Sequence, residues 1–271
     1  MQPKDTARHR AHMPEGASRV LNARSLTTAH RRLAQLLRPG LTVLDVGCGT
    51  GAITRGIAEA VAPNGRVVGV DLHASLIEEA RRQHSDVPSL SFETADVYNL
   101  HFHSMFDIVT AARVLQWLAH PLAALRNLVT AAKPGGRVVI LEYNHEKIVW
   151  QPEPPVSMQE FYAAFLRWRA EAGMDNTIAD HLPEMFAQAG LTDIGTTPQH
   201  ELTRRSDPDF ATRIGIWAEV AASRGQQMVA DSIVSEDLRA AAETDYRNWI
   251  GDSAESQLMY LVAVEGTRPK S

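Results

Sequence analysis

The chain of 271 residues has a single cysteine, no long apolar run and no excess of basic charge. Cys48 has no partner for an internal disulfide, which excludes a disulfide-stapled secreted scaffold and suits a reducing cytoplasm. Apolar stretches are interrupted by charge well short of the length of a bilayer span, so no transmembrane helix is expected. The first 16 residues, MQPKDTARHRAHMPEG, are polar and basic and lack the apolar stretch of a secretory signal. They are expected to form a flexible tail. Twenty-seven Lys and Arg face 32 Asp and Glu, a net charge of -5 that argues against DNA or RNA as a partner. There is no internal repeat and no low-complexity block.

What remains is an ordinary globular composition, 44% hydrophobic and 22% charged. Residues 18–37 show helical periodicity through Val20, Leu21, Leu33, Leu36 and Leu37, and Arg38-Pro39-Gly40 ends the stretch. Leu41 to Val46 is then too short and too apolar for anything but a buried strand, and it opens straight into glycines. The alternation repeats. Strands are expected at Val67–Val70, Leu90–Glu93, Phe106–Thr110 and Val138–Glu142, with helices at Ile53–Val61, Ser75–His84 and Leu122–Ala132 between them. Alternating strands and helices imply right-handed crossovers and a parallel sheet covered on both faces.

The fold expected is therefore α/β: an open, mostly parallel seven-stranded Rossmann-like sheet, with helical insertions forming a cap. Residues 17–40 would be an N-terminal helical lid, 41–143 the core, 144–190 a helical cap insertion, and 191–271 the rest of the sheet with a helical insertion at about 207–252. Pro152, Pro154 and Pro155 suggest a surface loop over 144–157, a strand is expected at Ile194–Leu202, and Leu258–Val264 reads as the final strand.

Val43-Leu44-Asp45-Val46-Gly47-Cys48-Gly49-Thr50-Gly51 is the most informative run. Glycines at a strand-to-helix turn permit close approach of a ligand to the main chain, at the carboxyl ends of the strands. Gly47, Gly49 and Ala52 also satisfy a dinucleotide fingerprint, so an NAD(P)-dependent oxidoreductase is a rival. Asp45 counts against it, because a carboxylate there repels a pyrophosphate and suits a ligand with an ammonium and a sulfonium. Gly51 and Asp96 point the same way.

VLDVGCGTG resembles the first motif of class I S-adenosylmethionine-dependent methyltransferases, and residues 41–142 follow that family's order of motifs. The resemblance is nearest to small-molecule enzymes of quinone biosynthesis and natural-product pathways. It implies S-adenosylmethionine as cofactor, no metal, and the backbone around Asp45, Gly47, Cys48, Gly49 and Gly51 lining its amino-acid end. Asp71 and Leu72 correspond to the ribose-binding motif, and Asp96 and Val97 to the adenine-binding motif. Arg113 falls in the loop after the fourth strand, where the Asn-Pro-Pro-aromatic signature of nucleic-acid base methylation is missing. Asp107, at the wrong end of its strand, and Lys133-Pro134-Gly135-Gly136 are expected to be structural.

The acceptor is expected to be a small, partly apolar molecule, with no nucleic-acid or membrane partner; the sequence carries no mark of oligomeric state. Transfer from an activated sulfonium needs alignment and water exclusion, and a base only for acceptors that carry a proton. His145 and Tyr143 follow the fifth strand on the crevice side and are the candidate catalytic residues, His145 as base and Tyr143 as wall or hydrogen-bond donor. Phe161, Tyr162, Phe165 and Trp168 form a helical stripe that either packs internally or acts as an apolar lid. A cofactor-binding protein without transfer activity is the other alternative.

Overall fold

A computed structural model describes residues 3–11 and 24–270. The first helix, α1 (Pro3–Ala11), carries Asp5 in its first turn and basic residues in its last, charges that complement the helix dipole. Two short helices follow, α2 (Leu26–Ala29) and α3 (Arg31–Leu36), with Ser25 Oγ accepting from Thr28 N at the start of α2. The chain then alternates: β1 (Thr42–Val46), α4 (Ala52–Val61), β2 (Arg66–Asp71), α5 (Ala74–Gln83), β3 (Leu90–Thr94), β4 (Phe106–Ala112), α6 (Pro121–Ala131) and β5 (Ala132–Gln151). After β5 come α7 (Val156–Glu171), α8 (Ile178–Gln188), β6 (Thr192–Pro198) and β7 (Glu201–Arg204). Four helices precede the last strand: α9 (Phe210–Ile214), α10 (Ile216–Ala222), α11 (Arg224–Ala230), α12 (Glu236–Asp252) and then β8 (Ser256–Thr267).

The sheet order is β3-β2-β1-β4-β5-β8-β6, with β7 pairing the other half of the β8 edge. β1 to β5 are parallel and β8 is antiparallel to its neighbours. The expected seven strands are thus a continuous path, and Ile194–Leu202 is two strands rather than one because Gln199 and His200 separate their pairings. One apolar cluster joins Leu44, Val109 and Ile140 to Leu125, Leu182 and Phe186 of α6 and α8. The opposite face joins Val43, Val67 and Val139 to Leu33 of α3 and Ile57 of α4. Both faces of the sheet are therefore covered, as all-parallel strands with apolar runs require.

Four expectations are revised. The loop expected over 144–157 is strand as far as Gln151, because Val149, Trp150 and Gln151 pair with Leu258, Gln257 and Ser256 beyond a bulge. The prolines begin only where that pairing ends. Of the expected tail, residues 3–11 form α1, held by buried Ala7 against Ala172 and Met174 and by Arg10, which donates to Asp231 and to the Trp168 carbonyl. The expected helix at 18–37 is interrupted at His30; its first part, 18–23, lies outside the described residues. The helical insertion expected at about 207–252 is four helices.

Those four helices and α7 make a second apolar centre, including Phe161, Phe165, Trp168, Trp217, Tyr246 and Trp249. It stands over the carboxyl ends of the strands.

Candidate active site

The chain leaves β1 for β2 and β3 on one side, then returns to place β4 on the other, so the strand order reverses between β1 and β4. A crevice opens at such a switch point, outside the carboxyl ends of the strands. Here it is a cleft of about 2050 Å³, roofed by the cap and by α1 and α2. That exceeds the roughly 300–1,000 Å³ of a single-ligand pocket and gives room for two molecules.

Its floor at one end is bare main chain. Gly47 has φ +73°, and a Cβ there would stand 2.3 Å from Val114 Cγ2, so no other residue fits without displacing the wall. The Gly47 and Cys48 N–H groups donate to the Val70 carbonyl at 2.7 and 3.0 Å, which ties the loop to the end of β2. Asp71 closes that end: one carboxylate oxygen accepts from the Gly49 N–H at 3.0 Å, the other from the His73 N–H at 2.9 Å and its ring Nδ1 at 3.0 Å. Asp96 accepts from the Tyr98 N–H at 2.9 Å and faces Arg8 of α1 at 3.5 Å. Gly47, Gly49, Asp71, Leu72, Asp96 and Val97 all line the cleft.

Asp45, Cys48 and Gly51, expected beside them, are not on its wall. Asp45 is buried and accepts from Thr54 Oγ1 at 2.7 Å; burial pushes its pKa up to about 7, and Asp71 adds to the rise. The Cys48 thiol packs with Ile77, Ala80 and Phe92, and burial raises its pKa well above the usual range, so it is no nucleophile. Gly51 is locked by Phe92, whose Cζ would lie 2.6 Å from an added Cβ, and with φ +81° it starts α4. These three shape the loop from beneath.

The other end is built from β4, β5, β7 and the cap. Arg113 follows β4 with φ +63° and donates to the Tyr143 hydroxyl at 2.9 Å, to the Ala29 carbonyl at 3.2 Å and to Glu201. Tyr143 in turn donates to the second Glu201 oxygen at 3.1 Å. Burial works against the Glu201 charge, but Arg113 and Arg24 outweigh it and its pKa is lowered.

His145 stands at the bulge of β5 and is buried, 5% exposed, with rings of Tyr143, Phe165 and Trp217 around it. Its Nε2 is 2.6 Å from Gln116 Oε1. The Gln116 amide nitrogen donates to the Arg113 carbonyl at 3.2 Å, which turns the amide oxygen toward the imidazole. Nε2 therefore carries the proton, and Nδ1 keeps its lone pair with no partner among the described residues. Burial, reinforced by Arg169, drives the His145 pKa well below 6.5, so the ring is neutral.

Of the α7 stripe only Phe165 reaches the cleft; Phe161 and Trp168 are wholly buried in the cap. Trp117 and Trp217 complete the aromatic wall. Arg24, Gln116, Trp117, Glu201 and Trp217 are cleft residues that sequence reasoning did not single out. Each comes from an element without a motif, and only their arrangement in space unites them. Among the described residues no group of three His, Cys, Asp or Glu is placed to hold a metal ion.

This site has a glycine loop with a carboxylate at the end of the next strand, and that carboxylate is met by the Gly49 N–H and by His73. A carboxylate, Asp71, two apolar side chains, Leu72 and Val97, and bare main chain at Gly47 and Gly49 face this end of the cleft, a set chemically compatible with S-adenosylmethionine. Residues 37–190 match the methyltransferase-domain family, and the chain belongs to it. It is an S-adenosylmethionine-dependent methyltransferase.

Among its relatives, the ubiquinone/menaquinone biosynthesis C-methyltransferase UbiE of Burkholderia vietnamiensis is 37% identical over 173 residues, 57% of this chain and 69% of that protein. An uncharacterized 37.1 kDa protein in transposon TN4556 of Streptomyces fradiae is 39% identical over 106 residues, 39% of this chain and only 31% of that protein. Phosphoethanolamine N-methyltransferase 2 of Haemonchus contortus, solved with phosphomonomethylethanolamine and S-adenosylhomocysteine, shares the fold. Its TM-score is 0.60 at 18% identity, covering 99% of this chain and 60% of that one.

Proposed function

We propose that this enzyme methylates a carbon or hydroxyl nucleophile of a small aromatic, partly apolar acceptor held under the cap. The carrying observation is the division of one oversized cleft into an end of main chain and carboxylates and an end walled by Trp117, Phe165 and Trp217. The likeness to quinone-biosynthesis C-methyltransferases supports the same acceptor class. The family match spans residues 37–190, so Glu201 and Trp217 of the acceptor wall lie outside it.

When bound, S-adenosylmethionine supplies an activated methyl group. The residues' task is then to orient the acceptor and keep water out. Asp71, Leu72, Asp96 and Val97 are proposed to hold the nucleoside, Gly47 and Gly49 to let the amino-acid end approach, and Asp45, Cys48 and Gly51 to keep the loop in shape. Arg113, saturated by Tyr143, Glu201 and a carbonyl, fixes the wall between the two ends. The bare Nδ1 of His145 accepts a hydrogen bond from an acceptor hydroxyl. A base so disfavoured from charging orients that hydroxyl rather than storing its proton, which suits phenolic or quinol acceptors that ionise readily. Tyr143 contributes a ring edge and a fixed dipole.

No helix among the described residues is long and apolar enough to cross a membrane. A cytoplasmic setting belongs to this reading and rests on the lone cysteine. The test is transfer of radiolabelled methyl from S-adenosylmethionine to a panel of hydroquinones, phenols, aliphatic amines and alcohols. Labelling of the aromatic acceptors alone is expected; labelling confined to the aliphatic amines overturns the proposal. At saturating cofactor, kcat with a good acceptor should show no ionisation from a histidine between about pH 5.5 and 7.5, the range of an ordinary imidazole. A limb there that disappears in His145→Gln would contradict the neutral-imidazole role.

A further inference from the structure

Most arginines that approach the cleft are accounted for by a carboxylate or carbonyl. Arg8 faces Asp96, Arg113 meets Glu201, Arg213 lies near Asp207 and Asp209, and Arg224 donates to the Arg10 carbonyl. Arg247 pairs with Glu219 and Glu243. Arg24 differs. It lines the cleft just before α2, half-buried, and makes no hydrogen bond or ion pair among the described residues.

The charges around it do not cancel. Arg24 lies within electrostatic range of Arg113, Tyr143 and Glu201. Glu201 is the one carboxylate of that group, and both its oxygens are engaged, one by Arg113 and the other by the Tyr143 hydroxyl. Two guanidinium groups thus share one carboxylate and leave an excess of one positive charge at this wall. Burial and Arg113 together lower the Arg24 pKa, the mark of a cation short of compensation. A desolvated cation without a partner is costly, and an anion in the cleft removes that cost. The opposite end, with Asp71 and Asp96, repels such an anion.

We infer that Arg24 is an anion-binding residue of the cleft, and that it holds a carboxylate of a bound small molecule beside the Arg113–Glu201–Tyr143 cluster. The planar guanidinium matches a carboxylate with two parallel N–H bonds. Two sources have this chemistry: the amino-acid end of the cofactor, or an acid group on the acceptor. The inference rests on the proposed division of the cleft into a nucleoside end and an acceptor end.

The experiment is calorimetric titration of the wild type and Arg24→Gln with S-adenosylhomocysteine and with 5′-methylthioadenosine, which keeps the nucleoside and sulfur but lacks the amino-acid end. It is joined by thermal melts of the S-adenosylhomocysteine complex with and without benzoate, a small aromatic carboxylate. If the cofactor supplies the carboxylate, the variant binds S-adenosylhomocysteine about tenfold or more weakly, the loss of one charge-assisted contact, and 5′-methylthioadenosine unchanged. If the acceptor supplies it, both nucleosides bind as before, and benzoate raises the melting temperature of the wild type but not of the variant. Arg24→Lys restores part of either effect.

Unchanged binding of every probe overturns the inference, including the case where benzoate stabilises neither protein. An equal loss for both nucleosides also overturns it, since it marks a collapsed wall rather than a lost carboxylate contact. Failure of 5′-methylthioadenosine to bind the wild type at all is a different result, and it strikes the cofactor reading itself.

Discussion

The two ends of the cleft are made by different means. At the proposed nucleoside end the wall comes from main chain and from residues at a strand end or one or two positions past it: Gly47 after β1, Asp71 at the end of β2, Asp96 after β3. At the proposed acceptor end the wall is side chains from separate elements, among them Trp117 after β4, Phe165 on α7, Glu201 on β7 and Trp217 on α10. The first end is specified by the geometry of the sheet, so a change there is felt by the backbone. The second is specified by packing in a cap that meets the sheet at Ile148, Trp150 and Met259, so its shape can change while the glycine loop stays as it is. That contrast explains how one cofactor cradle can serve many acceptors.

The sharpest way to break the contrast is at Asp71. Asp71→Ala removes the acceptor of the Gly49 and His73 N–H bonds together with the carboxylate for ribose. Cofactor affinity should fall about 100-fold, equivalent to about 2.8 kcal/mol, with acceptor KM unaffected at saturating cofactor. Calorimetry with S-adenosylhomocysteine measures the first, steady-state kinetics the second; equal losses in both would merge the two ends.

A smaller effect is expected at the other end. Trp217→Leu trims the aromatic wall and should raise acceptor KM roughly tenfold, about 1.4 kcal/mol, while S-adenosylhomocysteine affinity stays within about twofold. Trp217 also packs on Tyr162 and Trp150, so the melting temperature should drop as well. A variant that loses cofactor affinity instead would show that the cap governs the nucleoside end.

The smallest effect concerns what stiffens the seam between the ends. Glu142 on β5 is fully buried, and its Oε1 accepts from the Val114 and Leu115 N–H groups at 2.8 and 2.6 Å. Its other oxygen has no partner among the described residues. Burial pushes its pKa up to about 8 from an ordinary 4.5. The folded chain therefore holds this proton more tightly than the unfolded chain. The stability it contributes is complete below about pH 4.5 and is lost progressively as pH rises to about 8. Asp45 acts in the same direction up to about pH 7. Glu142→Gln keeps an acceptor for the two N–H groups and cannot ionise, so it should melt at least about 2–4 °C higher than wild type at pH 8.5, the shift that each ~1 kcal/mol gives at this size. No difference should remain at pH 4.5. A variant less stable at both pH values would mean that Glu142 is held as an anion.

The same contrast governs what could be read from the sequence. Strand periodicity and glycine spacing are local, and they marked β1 to β4 and the Gly47 loop without a structure, while Asp71 and Asp96 were singled out by their likeness to family motifs. The end of β5 was misjudged because Pro152, Pro154 and Pro155 mark a break without saying that Val149 to Gln151 still pair with β8. The α7 stripe had the right spacing for either packing or lining, and only its neighbours decide: Phe161 and Trp168 go to the cap core, Phe165 to the cleft. Gln116 sets the His145 tautomer from 29 positions away in sequence, and Glu201 meets Arg113 from 88 away. Nothing local in the sequence records such pairings.

A crystal structure with S-adenosylhomocysteine bound bears most directly on the two-ended cleft. The nucleoside should lie over Gly47 and Gly49 with its ribose hydroxyls on Asp71, leaving open the space between Trp117, Phe165 and Trp217. A nucleoside seated among those three aromatics, or an Asp71 carboxylate without contact to the ribose, would contradict it.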